Sequence, residues 1–295
     1  MRKLFGLLVL LVLPTIVLAQ DDFSKVEIKA TKISGNVYML EGSGGNIGVS
    51  VGADGILIVD DQFAPLADKI KAALKTLGEG KLKFILNTHW HGDHTGGNEK
   101  FGNEAPIIAH DNVRKRMSTE QRLEFFKQTV PPSPKVALPV ITFDQSLSVH
   151  FNGEEIKVIH FPNGHTDGDS VIFFTTSNVV HMGDDFFAGK FPFIDLDSGG
   201  SVEGLAKNIG EIIPKLPASV KLIPGHGPLS TVDDLKAYHH MLLTTTDIVR
   251  KKIAAKQSLD QIKKEGLPAE WKSWGEGFMK TDQWIELVYA SLTKK

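Results

Sequence analysis

Residues 88–97 read Thr-His-Trp-His-Gly-Asp-His-Thr-Gly-Gly, so His89, His91, Asp93 and His94 fall within a six-residue span. Imidazole nitrogen and carboxylate oxygen are ordinary ligands for zinc and related divalent ions, and four of them this close together point to metal binding. The spacing does not suit a helix, where His89 and His91 would face nearly opposite sides. In an extended segment, residues two apart share a face. Gly92 favours a loop at the centre of the motif. Three later glycine-flanked turns, each after an apolar run, carry single residues of the same kind. His165 sits in Asn163-Gly164-His165-Thr166-Asp167-Gly168-Asp169, Asp184 in Gly183-Asp184-Asp185, and His226 in Pro224-Gly225-His226-Gly227. His110, His150, His160, His181, His239 and His240 lack such a setting, and of these only His181 lies close to Asp184 in the chain.

The elements that must position these residues can be read around them. Phe84, Ile85 and Leu86 within residues 83–87 form a buried strand that delivers the first motif. Residues 26–30, 37–41, 46–51 and 56–60 are short apolar or alternating runs separated by Gly and Asn, the grammar of strands with tight turns. Residues 65–77 place Leu66, Ile70, Ala73 and Leu74 at helical spacing before Gly78. A short helix is expected at 98–101 and a strand at 106–109. Residues 113–129 read as a charged helix stopped by Pro131, Pro132 and Pro134, a solvated face, with a lid beside the site as the alternative. Strands follow at 147–151, 156–161, 170–175 and 179–182, then a helix at 201–216 and a strand at 220–223, so each half of the chain ends a strand in histidine. From about residue 230 the pattern turns helical, with a capping box at Ser258 and Gln261 and a stripe of Trp284, Leu287, Val288 and Leu292. Phe186, Phe187, Phe191 and Phe193 make the stretch after Asp184 aromatic, with Phe63 and Trp90 as further aromatics near the motifs.

The 295 residues contain no cysteine, which excludes disulfides and thiolate ligands and leaves nitrogen and oxygen to build any metal site. A formal charge of -2 gives no sign of a nucleic-acid partner. Arg2 and Lys3 precede an apolar run over 4–17, and residues 17–19 are suited to cleavage before Gln20. The expectation is a signal peptide over 1–19, a mature protein over 20–295 in the periplasm or secreted, and no stable membrane anchor after cleavage.

His89, His91, Asp93 and His94, followed in order by His165, Asp184 and His226, resemble the ligand signature of the metallo-β-lactamase superfamily over about residues 33–228. The resemblance implies an α+β fold, a four-layer αββα sandwich whose two β-rich halves meet over one metal site. It implies that His89, His91 and His165 hold one metal and Asp93, His94 and His226 the other, with Asp184 bridging. The metals expected are two Zn2+ per chain, with Fe or Mn also compatible with such ligands. Asp93 would orient the nucleophile and carry its proton, and Asp60 resembles the family's strand-end aspartate, which orients a ligand histidine. Asp184 stands where cysteine-bearing zinc β-lactamases have their thiolate, as in hydrolases resembling glyoxalase II. Phe187 stands where many of those β-lactamases place a lysine, with Lys190 a few residues on. The function implied is an exported dinuclear zinc hydrolase that cleaves an ester, lactone, thioester or β-lactam in a small-molecule substrate. An iron-dependent oxidoreductase of the same fold and an exported, non-catalytic binding protein are the alternatives. Nothing in the sequence marks an oligomeric state.

Overall fold

A computed structural model describes residues 22–294, and the expected signal peptide lies outside them. Strands β1 (Lys29–Ser34), β2 (Val37–Glu41), β3 (Ile47–Gly52) and β4 (Gly55–Val59) form an antiparallel meander. Helix α1 (Ala67–Leu77) then crosses over to β5 (Leu82–Leu86), which pairs parallel to β4. The first histidine motif ends in a single helical turn, α2 (Gly92–Thr95), and leads into α3 (Asn98–Phe101), β6 (Ile107–His110) and α4 (Asp111–Met117). A separate hairpin, β7 (Gln121–Leu123) with β8 (Gln128–Val130), precedes β9 (Ile141–Phe143). The first sheet has seven strands in the order β1-β2-β3-β4-β5-β6-β9.

The second half repeats this plan with fewer strands. β10 (Ser146–Phe151), β11 (Glu154–His160), β12 (Ser170–Phe174) and β13 (Val179–His181) run antiparallel, and α5 (Val202–Ile212) crosses over to β14 (Lys221–Ile223), parallel to β13. Helices α6 (Val232–Ala254), α7 (Leu259–Glu265) and α8 (Thr281–Thr293) follow. The expected box at Ser258 is formed: its hydroxyl accepts from Gln261 N, and Gln261 Oε1 accepts from Ser258 N.

Burial explains the layering. In β4, Leu57 and Val59 face the second sheet and pack with Phe151, Ile156, Val158 and Ile172, while Ile56 and Ile58 face α1 and pack with Ile70 and Leu74. A strand buried on both faces must be apolar throughout, which is why residues 56–59 do not alternate. The second sheet is used in the same way. Ile172 and Ile223 point inward, whereas Val171, Val180 and Leu222 meet Leu205, Ile209 and Ile212 of α5 and Tyr238, Met241 and Leu242 of α6. Helices, sheet, sheet and helices therefore stack as the four-layer αββα sandwich.

Three expectations need correction. The strand expected at 26–30 forms at Lys29–Ser34 instead, where it can pair with β2. The segment 113–129 is not one helix. Helix α4 stops at Met117, and the chain turns into the β7–β8 hairpin, with Leu123 buried beside Trp90, Val113 and Met117. Burying Leu123 outweighs a helical propensity that its charged neighbours provide only weakly. The segment thus keeps a solvated face over most of its residues, while Met117, Leu123 and Phe126 turn toward the site and form part of its wall. Asp93 and His94, read as part of a loop, lie in the helical turn α2, whereas His89 and His91 precede it in irregular backbone.

Candidate metal centre

The turns after β5, β11, β13 and β14 meet at one edge of the two sheets and bring the seven singled-out residues together. Donor atoms of His89, His91, His165 and Asp184 all lie within 4.8 Å of one another, and those of Asp93, His94 and His226 do likewise. Asp184 faces both sets: Oδ1 is 3.0 Å from His94 Nε2, and Oδ2 is 3.4 Å from both His165 Nε2 and His226 Nε2. Its Oδ1 is buried without a hydrogen bond.

Each of four rings is held from behind. The Thr88 hydroxyl donates to Asp60 Oδ2 and accepts from His89 Nδ1–H at 3.0 Å. His94 Nδ1–H donates to Asp60 Oδ2 at 2.7 Å, His91 Nε2–H to Asp195 Oδ2 at 3.0 Å, and His165 Nδ1–H to the Phe193 carbonyl at 2.8 Å. A ring whose outer nitrogen carries the proton presents a lone pair on the inner one. The inner nitrogens crowd together: His91 Nδ1 is 3.1 Å from His89 Nε2 and 2.8 Å from His165 Nε2, and His94 Nε2 is 3.4 Å from His226 Nε2. Inward lone pairs and an unpartnered carboxylate oxygen fit cations, and the all-nitrogen-and-oxygen donor set suits zinc, iron or manganese.

The electrostatics divide the two groups. Burial, reinforced by neighbouring rings, holds His89 well below the ordinary histidine range and His165 at about 4. Burial lowers His94 and His226 as well, but Asp184 and Asp93 outweigh it, raising His94 well above the ordinary range and His226 to about 9. Burial opposes the charges of Asp93 and Asp184, yet His94 and His226 hold both carboxyls well below the usual carboxylate range. Two anions and two cationic rings are packed where a bound cation would replace the ring protons.

The backbone comes equally close. A methyl group on Gly225 would sit 2.1 Å from Asp184 Oδ1, and one on Gly45 2.1 Å from His94 Cε1. Only glycine lets these two segments touch the donors. Asp60 adopts φ +65°, a backbone strain that turns its buried carboxylate toward Thr88 and His94. Asn46 joins the halves: its side-chain amide donates to the carbonyls of Pro224 and Gly227, and its backbone N–H to Gly225 O.

The six other histidines stay outside both groups, and His181 Nε2 meets the Asn46 carbonyl instead. The orienting role expected of Asp60 is present in the geometry. Thr88, Asp195 and Asn46 were not singled out from sequence. Thr88 adjoins the motif and could have been, but no spacing rule points to Asp195 or Asn46. A cavity of about 760 Å³ opens over the donors, reached by His91, Asp93, Asp184 and His226. Phe186 is a core residue whose ring lies tilted against that of Tyr238 at 5.2 Å, whereas Phe187, Phe191 and Phe193 serve both the core and the cavity wall.

Residues 30–226 match the family model of the metallo-β-lactamase superfamily. A type 2 metallo-β-lactamase of Bacteroides fragilis is 23% identical over 244 residues, covering 77% of this chain and 90% of that relative. A hydroxyacylglutathione hydrolase of Pelagibacter ubique is 30% identical over 152 residues, covering 49% of this chain, and the match spans only about half, 52%, of that relative's length. In fold, the chain is similar to the crystal structure of the DIM-1 metallo-β-lactamase, with a TM-score of 0.60 at 16% identity over 75% of this chain and 99% of that one. The chain belongs to the metallo-β-lactamase superfamily, as a hydrolase with a histidine–aspartate metal site.

Proposed function

We propose that the protein is an exported dinuclear zinc hydrolase that cleaves a carbonyl-centred bond in an ester, lactone, thioester or β-lactam. The observation that carries this reading is the pair of donor groups, with Asp184 facing both. Two such ions, when bound, supply Lewis acidity toward a carbonyl oxygen and lower the pKa of water toward about 7. His89, His91 and His165 would hold one ion, Asp93, His94 and His226 the other, with Asp184 between them. In hydrolysis the oxygen of water bonds to the carbonyl carbon, the bond to the leaving oxygen, sulfur or nitrogen breaks, and the leaving group takes up a proton. Asp93 is placed to handle that proton. It reaches the cavity, its Oδ2 lies 3.3 Å from His226 Nε2, and the adjoining histidines keep it anionic at neutral pH. Asp60, Thr88 and Asp195 fix the rings so that little reorganisation accompanies the reaction. Export is supported by the basic residues Arg2 and Lys3 before the apolar run 4–17.

Elemental analysis of purified protein, coupled to a panel of lactam, lactone, thioester, ester and phosphoester substrates with and without chelator, tests the proposal. The expected result is two zinc equivalents per chain and chelator-sensitive cleavage of a carbonyl substrate. Full turnover by metal-free protein, or iron as the metal in protein from its native source, would overturn it.

A further inference from the structure

We infer that the cleft over the metal site selects carbonyl substrates with an apolar medium-chain or aryl acyl group, and that the β7–β8 hairpin and the C-terminal segment set this preference. The inference rests on the hydrolase reading and adds its substrate class. Leu123, Phe126 and Val130 of the hairpin face the cavity from one side, and Phe187, Phe191 and Phe193 from the loop after Asp184. Phe278, from the segment between α7 and α8, completes the rim beyond the stretch matched by the family model. The Phe126 ring is 4.7 Å from that of Phe193 and 5.7 Å from that of Phe278, so three segments distant in sequence meet ring to ring at the mouth.

Phe126 is 36% and Phe278 68% exposed, two of the five large apolar side chains left open to water among the described residues. Exposed aromatics in mutual contact at the mouth of an active-site cleft mark a surface that an apolar ligand covers. The C-terminal segment also fixes the loop behind them. Phe191 N donates to the Trp274 carbonyl at 3.1 Å, and the Phe191 ring stacks on Trp284 at 5.4 Å. A volume of about 760 Å³ accommodates a substrate of some size.

Charge argues the same way. Arg116 is committed to both oxygens of Asp167 at 2.7 Å, which leaves Lys190 as the one lysine or arginine on the wall without an ion-pair partner among the described residues. A glutathione thioester carries two carboxylates, and the wall offers them this single unpaired lysine. A neutral acyl compound needs no cation.

The test uses the full chain loaded with metal and a series of p-nitrophenyl esters from acetate to decanoate. Each buried methylene favours binding, so kcat/KM should rise at least about tenfold from acetate to octanoate. Because both rim phenylalanines are exposed, the double variant Phe126→Ala/Phe278→Ala should fold and should lower the octanoate-to-acetate ratio at least about fivefold. A profile flat or falling with chain length, a ratio unmoved in the double variant, or preference for octanoyl-glutathione over octanoyl-N-acetylcysteamine overturns the inference. If no ester is cleaved, the hydrolase reading fails separately only when lactones, thioesters and β-lactams are left intact as well, and calorimetric binding of decanoate against acetate decides the apolar site. Tighter decanoate binding that the double variant loses supports it, and equal binding overturns it.

Discussion

The two halves of the sandwich contribute to the metal centre in opposite ways. The first delivers four donors from one stretch after β5, and the carboxylate of Asp60 braces two of them, His94 directly and His89 through Thr88. The second delivers three, from turns after β11, β13 and β14 that come together only when the sheet is formed and packed. Neither half completes a donor group alone, since His165 and Asp184 complete the set begun by His89 and His91, and His226 the set begun by Asp93 and His94. Metal binding is therefore a joint property of both sheets, and Asn46, bonded across to Pro224, Gly225 and Gly227, is part of the joint.

The sharpest way to break this division is to remove the donor that faces both groups. Asp184→Ala should lower kcat/KM by about three orders of magnitude or more and reduce metal content at both groups, while circular dichroism stays that of the folded protein. Retention of both metals with activity within tenfold of the parent would sink the bridging role. A smaller effect compares the braces. Asp60 serves three donors, Thr88 N–H, Thr88 O–H and His94 Nδ1–H, whereas Asp195 Oδ2 holds only the His91 ring. An amide offers a single acceptor oxygen, so Asp60→Asn should weaken metal affinity by about 100-fold and Asp195→Asn by about 10-fold, read by competition with a chelating dye. Equal losses, or none, would show that the braces do not set ring orientation.

The same contrast explains what could be read from the sequence. His89, His91, Asp93 and His94 announced themselves because four donors in six residues is a local signal. His165, Asp184 and His226 each stand in a turn that glycine alone would explain; the recurrence of such turns after strands marks them as candidate donors, and their order in the chain, matched to a family, divides them between the two groups. Asp195 was invisible because its contact with His91 spans 104 positions, and an aspartate in a turn has no periodicity. The hairpin departs from the helix expected there for a related reason. Residues 113–129 carry charges that a helix tolerates, and what decides their fold is where Leu123 and Phe126 land, against Trp90 and Phe193. Strands β4 and β5 were legible as continuous apolar runs, and helices α1, α5 and α6 because their burial follows their own period.

The smallest signal separates the two groups by their protons. In the metal-free protein His89 is held well below the ordinary range and His165 at about 4, so at pH 7 both rings are already neutral. His94 lies well above that range and His226 at about 9, so both are protonated at pH 7 and must each give up a proton before they can bind metal. The sign follows: a raised pKa favours the protonated ring as pH falls, so affinity at the group of Asp93, His94 and His226 should climb as pH rises toward about 9 and drop below neutrality. Binding through His89 and His165 should be much less sensitive over the same interval. Stepwise zinc titration of the metal-free protein, by calorimetry in buffers of different ionisation enthalpy, should therefore release few protons with the first equivalent and about two with the second. Equal release in both steps would mean that the paired carboxylates do not distinguish the two groups. A reversed order would mean that the compact motif's own pair, Asp93 and His94, fills before the ring cluster that His165 completes.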